Sequence, residues 1–162
     1  SVVPAAEAAL VEGIKRNKGL NGIVCAAAIL LPDGRIVTGC NSPLMHASSA
    51  LILNAVKVMA NIDHEIDLIS PAIMQSVTEM KRDVLKGKGV SLNLDEVLIC
   101  LAMSCAISSD ARKAAAELPL LHGCEVHMTH IPSSGDSSGL RKLVLNVTSD
   151  PKFPTSNLYN SI

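Results

Sequence analysis

The sequence predicts an α/β or α+β layered sandwich in which helices cover a mixed sheet. Three observations carry that prediction. Two apolar runs flank Pro32-Asp33-Gly34, a turn signal between strands. Apolar residues recur at helical spacing at the start of the chain and through its middle. Near the end, EVHMTHI and KLVLNVT read as two last strands, separated by PSSGDSSGLR. No internal repeat or low-complexity linker divides the 162 residues, so residues 1–162 are expected to form a single domain.

The elements follow in order. Pro4 and AAEAALVEGIKRNK predict a helix to about residue 18, with Pro in the first turn where its missing N–H costs least. Lys15, Arg16 and Lys18 match the negative end of its dipole. A hairpin is expected over residues 23–31 and 35–41, its first strand apolar on both faces and therefore central in a covered sheet. SSALILNAVKVMA places Leu51, Ala55, Val58 and Met59 at helical spacing, with serines as cap candidates. EIDLI is expected to be a short strand. Ser70-Pro71 opens a helix with Ile73, Val77, Met80 and Val84 on one face. Asn93 caps LDEVLICLAMSCAIS, and Glu96 three residues on completes a capping-box pattern. SSDARKAAAELP is a further helix, stopped at Pro119.

Composition narrows the function. Apolar residues make up 48% of the chain, which argues against disorder. Phe153 and Tyr159 are its sole aromatics, so the core must be aliphatic and stacking platforms for single-stranded nucleic acid are missing. A net charge of −1 gives no polycationic footprint for a phosphate backbone. Nucleic acid is not an expected partner. No apolar run approaches the roughly 18 residues of a membrane span, so no membrane partner is expected either. The five cysteines, Cys25, Cys40, Cys100, Cys105 and Cys124, lie mostly in apolar runs and read as buried thiols of a cytoplasmic protein. The start, SVVPAAEAALVEG, lacks an initiator Met and reads as part of a longer protein.

Four stretches carry a family resemblance: ILLPDGRIVTGCNSPLMHASSALILNAVKVMANIDHEIDLISP, LNLDEVLICLAMSCAIS, LPLLHGCEVHMTHIPSSGD and GLRKLVLNVTSD. In this order they resemble the C-terminal part of bacterial proteins of the domain of unknown function 1846 family. The resemblance implies a cytoplasmic C-terminal domain with a cytidine-deaminase-like three-layer αβα sandwich and a mixed sheet. It supplies no established activity.

The implied fold invites a test for zinc-deaminase chemistry. Such enzymes place His or Cys, then Ala, then Glu at a helix start, with Pro-Cys-x-x-Cys on a second helix. His46-Ala47-Ser48 follows the hairpin here, and its serine cannot act as a carboxylate proton shuttle. Cys100 and Cys105 lack a preceding Pro and diverge by roughly 140° around a helix. Deaminase activity is therefore not expected. CxxHxxH at Cys124, His127 and His130 has ligand types that zinc accepts. On a strand, however, Cys124 and His127 point to opposite faces, as do His127 and His130. No metal or other cofactor is expected; His46, Cys124 and His127 are weak metal candidates that would need further ligands such as Cys40.

PSSGDSSGLRK is the stronger candidate. Gly135 and Gly139 permit tight turns whose N–H groups can form an anion-binding concavity. Asp136 could cap a short helical turn, with Arg141 and Lys142 nearby as cations. The candidate ligand residues are His127, His130, Ser133, Ser134, Gly135, Asp136 and Arg141. No nucleophile-elbow pattern occurs among the serines. The first expectation is a domain that is non-catalytic on its own, packing or oligomerising a larger protein, with upstream domains and further copies of itself as partners. The alternative is a ligand- or phosphate-binding half-site of an enzyme completed upstream.

Overall fold

A computed structural model describes residues 1–87 and 89–154. Helix α1 (Val2–Lys15) leads into the hairpin strands β1 (Ala26–Leu30) and β2 (Ile36–Cys40). Helices α2 (Ala47–Met59), α3 (Pro71–Glu79), α4 (Leu94–Ser104) and α5 (Ser109–Ala115) follow. Strand β3 (Glu125–Met128), helix α6 (Ser134–Lys142) and strand β4 (Asn146–Ser149) complete the described elements.

The sheet order is β2-β1-β3-β4. Strand β1 is antiparallel to both neighbours, while β3 and β4 run parallel. The α/β class with a mixed sheet thus holds. Side-chain alternation along β1 separates the layers. Ala28 packs with Val2 and Ala6 of α1, whereas Ala27 and Ile29 enter the main core with Leu51, Ile52 and Val56 of α2. The central, doubly covered strand expected for residues 23–31 is therefore found. Close packing of α2 on β2 depends on Gly39, where a Cβ would stand 2.5 Å from the Leu51 backbone nitrogen.

The local signals explain most boundaries. At the hairpin, Gly34 takes φ 91° while Leu31 N–H donates to Arg35 C=O at 2.8 Å. Ser70 caps α3 with Pro71 in its first turn, and a π-helical turn (Met80–Val84) extends it. Asn93 and Glu96 form the expected capping box at α4.

Three expectations are corrected. EIDLI is not a strand: Asp63 accepts the Glu65 N–H at 3.0 Å, and Lys57 holds the His64 carbonyl, so the segment turns, with no strand partner among the described residues. KLVLNVT is split, because its first residue ends α6 and β4 begins only at Asn146. The Ser133 cap favours a nine-residue helix over the short turn expected there. Val144, at φ 56°, separates that helix from β4.

Candidate functional site

The site grows from where three helices begin. Segment 44–46 runs beside 91–93, with His46 N–H donating to Leu92 C=O at 2.9 Å and Ser49 Oγ donating to the same oxygen at 3.0 Å. This sets His46 at the N-cap of α2 and Leu94 at the first turn of α4. Asp136, in the first turn of α6, reaches both. Its Oδ2 accepts from His46 Nδ1 at 2.8 Å and from Ser133 Oγ at 2.9 Å, and its Oδ1 accepts from Leu94 N–H at 3.0 Å. One carboxylate thereby joins the beginnings of α2, α4 and α6.

The cluster is dry. His46 is 2% exposed and Asp136 4% exposed. Burial alone raises the Asp136 pKa, and the His46 hydrogen bond and charge oppose it. The nearby Ser48 hydroxyl, short of a full hydrogen bond, and the Leu94 N–H add to this, and the net direction is downward. Neither His46 Nε2 nor Ser48 Oγ has a hydrogen-bond partner among the described residues. The Cys25 thiol is pushed up to about 12 by burial, then by the Asp136 and Cys40 charges, so it is no nucleophile at neutral pH.

Glycines let α6 sit this close. A Cβ on Gly135 would collide with the Asn93 amide, and one on Gly139 would stand 2.6 Å from Leu94 Cγ. Lys142 Nζ reaches Asp95 at 3.2 Å on the outer side of the same contact.

The remaining predicted site residues lie apart. His127 pairs with Ala28 across the sheet and therefore faces α1. Its Nδ1 meets Thr148 Oγ1 at 2.7 Å and its Nε2 meets Asp150 at 3.2 Å. Cys124 lies before β3, its thiol directed at the Leu120 carbonyl. His130, beyond β3, hydrogen-bonds Thr129 through Nδ1. Ser134 and Arg141 are exposed on α6, and Arg141 has no ion pair among the described residues. Among the described residues, no group of three or more His, Cys, Asp or Glu could hold a metal ion.

The alternating faces of β3 separate His127 from the cluster, as strand geometry anticipates. No local signal joins His46 to Asp136, which are ninety positions apart. The usable signal was Pro132-Ser-x-x-Asp136 directly after a strand.

Strand order, layers and shared carboxylate define an α/β sandwich whose helix starts converge on one buried acid. The chain belongs to the family described as "Domain of unknown function DUF1846, C-terminal", which it matches over residues 1–159. It is 41% identical to a UPF0371 protein of Clostridium botulinum over 98% of its own length and 31% of that relative's. UPF0371 proteins of Fusobacterium nucleatum and Corynebacterium efficiens are 44% and 46% identical, each over 83% of this chain and 26% and 27% of theirs. The chain thus spans about a third of the length of these relatives. No helix among the described residues is long and apolar enough to cross a membrane.

Proposed function

We propose that this is a non-catalytic domain of deaminase-like fold, in which a hydrogen-bonded cluster replaces the zinc site and locks the helices together. The domain then serves to pack against the rest of a longer protein. The observation that carries this reading is the convergence of His46, Ser133 and Asp136 at hydrogen-bond distances.

Their places in the chain support it. His46-Ala47-Ser48 opens the helix after the hairpin, as the first zinc motif does. Pro132-Ser133-x-x-Asp136 follows β3 into α6 with the spacing of Pro-Cys-x-x-Cys. In this frame the second motif falls on α6, and Cys100 and Cys105 of α4 have no part in it. Serine and aspartate stand where two thiolates would be.

These residues do not fit zinc. A neutral serine hydroxyl is no substitute for a thiolate. The Asp136 oxygens are committed to His46, Ser133 and the Leu94 N–H, and the unpartnered His46 Nε2 has no group of three ligands around it among the described residues. Ser48 occupies the proton-shuttle position without a carboxylate. An outward apolar row supports packing: Ile99 is 62% exposed, Met103 50% and Ile107 78%.

Metal content tests the correspondence. The natural chain should purify with far less than one zinc per molecule. S133C/D136C, refolded in zinc, should bind one equivalent and lose it when H46A is added. Stoichiometric zinc in the natural chain, or ammonia released from a nucleoside, would refute the reading.

A further inference from the structure

On the opposite side of the sheet from the His46 cluster lies a cleft of about 500 Å³, within the usual range for small-ligand sites. It opens beyond the C-terminal ends of the parallel strands β3 and β4, where open α/β sheets commonly receive ligands. Leu10, Ile14, Ile23 and Val24 supply an apolar wall. Lys18, His130 and Lys152 supply its polar end.

The polar end offers donors of one sign. Thr129 Oγ1 accepts the Ala26 N–H at 2.9 Å and shares a hydrogen bond with His130 Nδ1 at 2.9 Å. Where the hydroxyl donates to Nδ1, the neutral imidazole carries its proton on Nε2. Burial, followed by the Lys152 charge, lowers the His130 pKa against the opposing pull of Asp150 and so favours the neutral donor. Neither Lys18 nor Lys152 makes an ion pair among the described residues. The nearby carboxylates are engaged elsewhere, Asp150 with His127 and Glu12 with Arg16. No carboxylate is among the described lining residues.

We propose that this cleft binds a small phosphomonoester with an apolar substituent, the phosphate held between Lys18, Lys152 and the His130 N–H. Two ammonium groups offset the roughly −1.5 to −2 charge of such a phosphate at neutral pH. The aliphatic wall receives its substituent. Of the residues first singled out as ligand candidates, His130 alone takes part. The site is independent of the fate of the zinc position.

Phenyl phosphate and inorganic phosphate serve as probes, followed by residue-resolved NMR of the whole chain. Phenyl phosphate should produce saturable shifts at His130 and Val24 and bind more tightly than inorganic phosphate. K18A/K152A should weaken it at least about tenfold, the scale of one lost charge-assisted contact, while leaving the folded spectrum intact. K113A, at an exposed lysine on α5, should change nothing. Unsaturable shifts, equal binding in K18A/K152A, or no preference for the phenyl ester would each overturn the proposal.

Discussion

Replacing Asp136 with alanine removes the acceptor for three donors at once. His46 Nδ1–H, Ser133 Oγ–H and Leu94 N–H approach the carboxylate at 2.8, 2.9 and 3.0 Å. Ser133 can rotate to other partners, but the buried imidazole and the backbone N–H cannot. Each orphaned buried donor costs about 1–3 kcal/mol, and breaking a buried pair on one side costs about 3–5 kcal/mol. The expected loss for D136A is therefore about 3–5 kcal/mol, a large part of the roughly 5–15 kcal/mol that holds a domain folded. At this size that lowers Tm by roughly 6–20 °C. D136N should lose much less, because its amide oxygen still accepts from Leu94 while its NH2 can donate to His46 in the other tautomer. Urea and thermal unfolding of the natural chain, D136A, D136N and H46A/D136A would measure both the loss and the coupling. A cost below about 1 kcal/mol for D136A, or additive effects of His46 and Asp136, would refute the claim that the carboxylate pins the helices.

Acid and steric perturbations test the same contact. The folded-state Asp136 pKa is depressed, so its contribution is complete above the ordinary value of 3.8 and fades as pH falls through the lower folded value. The stability gap between the natural chain and D136N should accordingly narrow below that pH; a constant gap in urea titrations would contradict it. Gly139→Ala should lower stability by about 1–3 kcal/mol through overpacking against Leu94, although helix propensity alone favours Ala by about 1 kcal/mol. A higher Tm for Gly139→Ala would show that α6 does not pack closely on α4.

Local chemistry made much of the fold legible. The Pro32-Asp33-Gly34 turn, the Ser70-Pro71 start and the Asn93/Glu96 box act within a few residues, and each forms as read. EIDLI misled because an apolar pair in a short run looks alike in a strand and in a packed turn, and only a neighbouring strand decides. The PSSGDSSGLR segment looked like a glycine-rich loop because two glycines usually oppose a helix. Here they are needed for contact with Asn93 and Leu94, which are distant in sequence. The His46–Asp136 pair was illegible for a related reason. Each residue alone resembles an ordinary cap, and their common role depends on three helix starts meeting in space.

The aliphatic core also has an optical consequence. With no tryptophan in the chain and Phe153 half exposed outside the packed layers, the described interior contains no phenyl, phenol or indole ring. Intrinsic fluorescence and near-ultraviolet dichroism are therefore nearly blind to the loosening of this interior. Its tertiary order is instead carried by the methyl groups of Ile29, Leu51, Ile52, Val56 and Val126, whose chemical-shift dispersion is the natural spectroscopic signature of the native state.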